Sequence, residues 1–122
     1  MSTRCNVIIK EDDNKFFQLY HHHDGYPDGV GTDLEDYIKQ MDKDCLSNGE
    51  KFVNFLCDPL RQDEYEFEGT IINPHDDIEF LYFIDLQKHE IYCYSIDLVN
   101  WDTSIVDFVI NNKIKLVYKH KF

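Results

Sequence analysis

The stretch with the most chemical potential is residues 20–31, YHHHDGYPDGVG, which holds three consecutive histidines, two aspartates and three glycines. Imidazole and carboxylate groups are common metal ligands, and glycines ahead of a helix can present backbone amides to a phosphate. The same residues are also typical of a turn between a strand and a helix. Which chemistry applies depends on the elements that flank the stretch.

A metal site is the first possibility. Successive side chains of a strand alternate faces, so at most two of the three histidines point the same way, and Asp24 could add a carboxylate. His75 with its two aspartates, or His89 with Glu90, could complete the set across the fold, but the spacing matches no closed zinc pattern. We therefore predict no metal or other cofactor: Tyr20 and His22 pack or hydrogen-bond at the sheet end while the other histidines face water.

Phosphate binding and nucleophilic catalysis are less well supported. DGYPDGVG matches neither a Walker-type loop nor the dinucleotide G-x-G-x-x-G pattern, and nearby aspartates would repel a phosphate. The chain also lacks a G-x-S-x-G elbow and a cysteine placed at a helix N-terminus. No catalytic residue is predicted, so a binding role is favoured over an enzyme. Positive φ at Gly25 and Gly29 would explain the glycines as turn residues.

The N-terminal half of the chain predicts a hairpin followed by two helices. Residues 3–12 and 15–22 alternate apolar and polar positions around an Asp-Asp-Asn turn. TDLE then predicts that Thr32 caps an amphipathic helix reciprocally with Glu35, and SNGE predicts the same roles for Ser47 and Glu50 in a shorter helix. Asp58-Pro59 should end that second helix.

From Tyr65 the apolar period changes to two. Residues 65–72, 78–86 and 90–96 read as three strands whose short loops favour antiparallel pairing between neighbours, with the middle strand apolar on both faces and hence central. Residues 102–112 suit a helix better than a strand, and 113–121 suit a lysine-rich edge strand. The predicted order is ββααβββαβ, an α+β fold with an antiparallel sheet of five to six strands.

Length and composition are those of one folded domain over residues 1–122, since 43% of the residues are hydrophobic. The N-terminus does not resemble a signal peptide and no apolar run is long enough to span a membrane, so a cytoplasmic location is expected. Four widely spaced cysteines, at positions 5, 45, 57 and 93, predict free thiols that are mostly buried.

The charge is unevenly distributed. Residues 1–110 carry 8 basic and 24 acidic residues, a net −16, whereas the last twelve carry four lysines and no acid, which gives the total of −12. Such a surface repels nucleic acid and anionic membranes and attracts basic partners. Solubility alone is the alternative explanation.

Several motifs together resemble a family of small uncharacterised proteins of phages and prophages. They are S-T-R near the N-terminus, Y-x-H-x-D-G-Y-P-x-G-x-G from Tyr20 to Gly31, and L-Y-x-I-D-L from Leu81 to Leu86. The resemblance covers most of the chain and carries no catalytic residues with it. It implies an accessory factor that engages host machinery, as inhibitors of nucleases and CRISPR effectors do.

The leading hypothesis is a non-catalytic, anti-CRISPR-like binding protein that docks on a basic nucleic-acid-binding site of a host protein, such as a nuclease. The predicted binding residues lie together on the first helix: Asp33, Glu35, Asp36, Asp42 and Asp44. The alternative is a small-molecule or nucleotide site, or an enzyme, built from Arg4, Tyr20, His22, Asp24 and Tyr26, in which an Arg4–Asp24 ion pair is the plainer expectation. A homodimer is compatible with either hypothesis.

Overall fold

A computed structural model describes residues 3–61, 64–75, 77–96 and 115–122. In these residues a six-stranded sheet has the order β3-β2-β1-β4-β5-β6, and three helices follow the first hairpin. The strands are β1 (Cys5–Asp12), β2 (Lys15–His21), β3 (Glu66–Gly69), β4 (Phe80–Asp85), β5 (Glu90–Ser95) and β6 (Lys115–Lys121). The helices are α1 (Thr32–Gln40), α2 (Lys43–Ser47) and α3 (Gly49–Leu56), with a π-helical turn at Pro27–Gly31 and a 3-10 turn at Pro59–Arg61. The α+β class is confirmed.

The predicted hairpin is confirmed, and its register places Cys5 opposite His21. Strand β4 is central as predicted: it lies between β1 and β5 and is apolar on both faces. The lysine-rich strand β6 is also confirmed, at one end of the sheet, where positive side chains discourage further strand pairing.

The pairing of β3 is not as predicted. Instead of forming a hairpin with β4, β3 pairs with β2 on the far side of the first hairpin, and β4 pairs in parallel with β1. The sheet is therefore mixed rather than antiparallel. Because β3 and β4 run in the same direction on either side of the β1–β2 hairpin, their connection must cross one face of the sheet. Its described residues, 70–75 and 77–79, are called the crossing segment below.

Helix capping also differs from the prediction. Thr32 is not a cap, because the π-helical turn runs directly into α1 and its carbonyls accept from the Thr32 amide. The predicted second helix corresponds to α3, but Asn48, not Ser47, caps it by accepting from Lys51 N at 3.1 Å. The short helix α2 was not predicted separately, and Asp42 caps it by accepting from Cys45 N. A free helix N-terminus needs such an acceptor, whereas a continued helix does not.

The sheet is covered on both faces. The larger apolar core lies between the helices and the sheet, and Tyr82, Phe52 and Leu34 are among its fully buried side chains. A smaller core on the opposite face joins Ile8 and Leu81 to Ile72 and Ile78 of the crossing segment. The crossing segment thus serves as the second layer over that part of the sheet.

The helix predicted at residues 102–112 lies outside the described residues. Among the helices that the structure does describe, none combines the length and apolar character needed to span a membrane. All four cysteines are free, as predicted, with Cys5 and Cys93 buried and Cys45 and Cys57 partly exposed.

Candidate functional site

The loop over residues 24–30 is held by close backbone packing. Gly25 N donates to Thr3 O at 2.9 Å, Val30 N donates to Asp24 O at 2.8 Å, and the Tyr82 hydroxyl donates to Gly25 O at 2.7 Å. A Cβ on Gly29 would lie 2.2 Å from Asp24 O. Contrary to the prediction, neither Gly25 nor Gly29 has a positive φ; Asp24 takes that conformation, with φ 55°. The glycines are needed because the loop backbone approaches neighbouring atoms closely.

The three histidines have three different environments. His21 is buried and its ring lies 4.6 Å from that of Tyr65, contrary to the expectation that it faces water. His22 is exposed, and its Nε2 lies 2.9 Å from Glu66 Oε1. His23 Nε2 lies 3.0 Å from Glu64 Oε2. Among the described residues, no group of three or more His, Cys, Asp or Glu side chains is placed to hold a metal ion.

Buried polar side chains attach the crossing segment to the sheet. Gln18 binds Asn73 through both the backbone amide, at 2.7 Å, and the carbonyl, at 2.9 Å. Asn6 Oδ1 accepts from His75 N at 2.9 Å, and both amide side chains donate to Glu68 Oε1. The second carboxylate oxygen of Glu68 lies 2.5 Å from His75 Nε2. These bonds satisfy backbone groups that would otherwise be unpaired on an apolar face.

The residues of the alternative site fall into two groups. Arg4 and Tyr20 meet at Asp77: the Arg4 guanidinium lies 3.3 Å from Asp77 Oδ2, and the Tyr20 hydroxyl donates to the same carboxylate. Burial, and then the negative charge of Asp77, raise the pKa of Tyr20. The predicted Arg4–Asp24 pair is replaced by Arg4–Asp77.

The remaining members of that site lie differently. His22 contacts the Tyr20 ring edge-on at 4.5 Å, but Asp24 instead accepts from the Tyr26 hydroxyl at 3.1 Å, and Tyr26 is exposed. That hydrogen bond raises the pKa of Tyr26. The sequence pattern offered His75 and Asp77 only as possible metal ligands and did not place them, or Glu68, beside Tyr20. The signal for this cluster was polar Asn6 and Gln18 within otherwise apolar strands.

The predicted acidic helix is divided between two helices. Asp33, Glu35 and Asp36 lie on α1, whereas Asp42 is the cap of α2 and Asp44 lies in its first turn. The hydrogen bond from the Cys45 backbone lowers the pKa of Asp42, so this carboxylate is held ionised and in place.

Glu35 differs from the other four acids because it is engaged by strand β6. Its carboxylate accepts from the Tyr118 hydroxyl and lies 2.9 Å from His120 Nδ1. Burial and this carboxylate together raise the pKa of Tyr118. Glu35 therefore joins α1 to the sheet, and the other four acids remain exposed on the outer surface.

These acids belong to a continuous acidic helical layer, which we define as segment 24–58. Nine acidic and three basic residues give it a net charge of 3 − 9 = −6. Seven of the nine acids are exposed: Asp24, Asp28, Asp33, Asp36, Asp42, Asp44 and Glu50. Half of the total charge of −12 thus lies in one layer of the molecule.

Comparison of the chain with protein-family models, with curated proteins and with solved structures gave no match.

Proposed function

We propose that this protein is a non-catalytic binding protein whose acidic helical layer docks on a basic, nucleic-acid-binding surface of another protein. The observation that carries the proposal is the concentration of exposed carboxylates on helices that are packed against the sheet. Fixed carboxylates can take the place of backbone phosphates on a partner because little conformational freedom is lost when they bind.

The structure refines which acids can serve. Asp36 and Glu50 are exposed on α1 and α3, and no ion pair engages their carboxylates within the described residues. Asp42 is committed to its cap, Asp44 lies 3.7 Å from Lys51 Nζ, and Glu35 is bound to β6. Asp36 and Glu50 are therefore the best-suited contacts, with Asp33 and Asp44 beside them.

The resemblance to phage proteins extends the proposal. In a phage-encoded protein, the basic partner would be a host nuclease or another nucleic-acid-binding effector, and the protein would act in the host cytoplasm as a counter-defence factor. The acidic charge supports this role because it favours association with positively charged channels and disfavours direct nucleic-acid binding.

The alternative, a small-molecule or nucleotide site, is less well supported by the geometry. Arg4, Tyr20 and His22 lie near one another, but their polar atoms are directed to Asp77 and Glu66. Asp24 and Tyr26 bind each other instead. Within the described residues, the five side chains do not converge on one ligand position.

The test is affinity capture from a lysate of the host, followed by binding measurements with each captured protein. The proposal expects a nucleic-acid-binding partner whose capture is prevented by saturating that partner with its own nucleic acid. Affinity should fall steeply between about 50 and 200 mM salt, as expected for contacts between exposed charges.

Charge reversal provides the matched control. Asp36→Lys with Glu50→Lys should weaken binding at least about tenfold, whereas Asp13→Lys with Glu79→Lys, which changes net charge equally outside the layer, should weaken it much less. Equal loss of affinity in both double variants would mean that net charge, and not the acidic helical layer, determines binding, which would contradict the proposal. Unchanged binding of the Asp36/Glu50 variant, or a partner that binds equally well with nucleic acid in place, would refute the proposal.

A further inference from the structure

Three histidines and three glutamates are matched one to one around strand β3. The sequence EYEFE places Glu64, Glu66 and Glu68 at every second position. His23 lies 3.0 Å from Glu64, His22 lies 2.9 Å from Glu66, and His75 lies 2.5 Å from Glu68. The first two pairs join Glu64, just before β3, and Glu66, at its start, to the residues that directly follow β2. The third pair joins β3 to the crossing segment.

Strand β3 depends on these contacts more than the other strands do. It has four residues, and among the described parts of the chain its one neighbour is β2, to which it pairs through Gln18, Leu19 and Tyr20 with an irregularity in the register. A short edge strand with so few ladder hydrogen bonds gains little stability from its backbone alone.

We infer that the three His–Glu pairs form a pH-sensitive clasp, which holds β3 and the crossing segment tightly on the sheet when the imidazoles are protonated and loosely when they are neutral. The inference is independent of the proposed function. It gives a role to His22 and His23, which lie outside the acidic helical layer.

Each imidazole lies against charged or aromatic groups from more than one part of the chain. His22 faces Glu66 and the ring edge of Tyr20. His23 faces Glu64, Asp24 at 3.5 Å and the His21 ring at 4.7 Å. His75 faces Glu68 and stacks on Tyr20 at 4.0 Å, and beyond Tyr20 lie Asp77 and its partner Arg4.

The sign of the pH dependence follows from these contacts. Hydrogen bonding to Glu64 raises the pKa of His23 in the folded protein, although burial opposes this. A histidine whose pKa is raised on folding stabilises the fold fully below its unfolded pKa of about 6.5 and loses that contribution as pH rises through the folded pKa. The contribution of the His23–Glu64 pair is therefore complete below about pH 6.5 and is lost as pH rises through the folded pKa of His23.

The test is amide hydrogen exchange of β3 and of the crossing segment between pH 5.5 and 8, expressed as protection relative to the intrinsic exchange rate at each pH. An exposed ion pair changes an equilibrium about twofold, so three pairs should lower β3 protection about eightfold at the higher pH. Protection of the β1–β4 centre should change much less. The triple variant H22Q/H23Q/H75Q, which keeps polar side chains at all three positions, should lose the extra pH dependence of β3.

The matched control is His89→Gln, because the described residues hold no acidic partner for His89, whose ring packs on Phe122. This variant should retain the wild-type pH dependence of β3. Should the triple variant fail to fold, the wild-type protein still decides the question through its own exchange data and NMR titration of its imidazoles. Equal pH dependence of β3 and the sheet centre in the wild type, or a triple variant that behaves as wild type, would overturn the inference.

Discussion

At the scale of single residues, Gly25 and Gly29 are required by the short distances to neighbouring atoms rather than by their backbone dihedrals. Gly25 and Gly29 have ordinary φ values, yet a Cβ at either position would meet backbone atoms at 3.0 Å or less. The Tyr82 hydroxyl also donates to Gly25 O, so a side chain of the central strand β4 contacts the loop backbone directly. Loop and sheet therefore fit only when both residues are glycine.

Gly29→Ala should lower the free energy of unfolding by about 2 kcal/mol, because the new Cβ meets the Asp24 carbonyl, which already accepts from Val30 N. Urea denaturation measures the change. Gly31→Ala is the control: its Cβ would make ordinary contacts at 3.5 Å or more in helical backbone, so stability should stay within about 0.5 kcal/mol. Equal effects of the two substitutions would disprove the close-approach account.

A second residue-scale prediction concerns Tyr82. Tyr82→Phe removes the buried hydrogen bond to Gly25 O and leaves that carbonyl without its donor, which should cost about 1–3 kcal/mol. Tyr26→Phe also removes a hydroxyl hydrogen bond, but at an exposed position, so it should change stability by less than about 0.5 kcal/mol. Thermal unfolding of both variants distinguishes them, and a neutral Tyr82→Phe would contradict this role of the hydroxyl.

At the scale of elements, whether a residue caps a helix depends on the structure that precedes it in the chain. Glu11 Oε1 accepts from Gly49 N at 2.7 Å, so a strand side chain contributes to the start of α3 alongside Asn48. At α1 the preceding π-helical turn supplies carbonyls for the first amides, and Thr32 has no capping role. The S-N-G-E and T-D-L-E patterns are alike in sequence but differ in what precedes them.

Asn48→Ala should destabilise the protein by about 1 kcal/mol through loss of the α3 cap, whereas Ser47→Ala, the substitution at the cap expected from the sequence, should cost less than about 0.5 kcal/mol. Guanidinium unfolding of the two variants under identical conditions measures the difference. A larger effect at Ser47 than at Asn48 would restore the cap predicted from the sequence.

At the scale of the whole molecule, the sheet separates two layers of different character. The helical layer carries an excess of carboxylates, while the opposite face is covered in part by a crossing segment held by Asn6 and Gln18. The buried cysteines lie on the helical side of the sheet, within the larger core. Burial raises the pKa of Cys93 to about 12 and raises that of Cys5 further.

The reactivity of the two buried thiols, Cys5 and Cys93, should therefore measure global unfolding. In native conditions at pH 8, a thiol reagent should modify Cys45 and Cys57 and leave Cys5 and Cys93 unmodified, because the thiolate is the reactive form and burial suppresses it. The two buried thiols should react only at the rate of unfolding. Mass spectrometry of the modified protein measures the order, and early modification of Cys5 or Cys93 would contradict the core described here.

Local pattern alone determined much of this protein: the first hairpin, the amphipathic character of α1 and α3, the centrality of β4, the basic strand β6 and the uneven charge. Each is set by residues near one another in the chain, through periodicity and side-chain type. The acidic surface could be predicted in the same way, since exposed charge follows composition.

Only the tertiary structure decided the partner of β3, the helix starts, and which acids and histidines meet. A short loop after β3 suits a hairpin with β4, but burying Ile72 and Ile78 over Ile8 and Leu81 requires the segment to cross the sheet. Such contacts join residues 41 to 85 positions apart; they are Glu35–His120, Arg4–Asp77, His22–Glu66 and His23–Glu64. Such pairs depend on strand order, which no local pattern in the chain encodes.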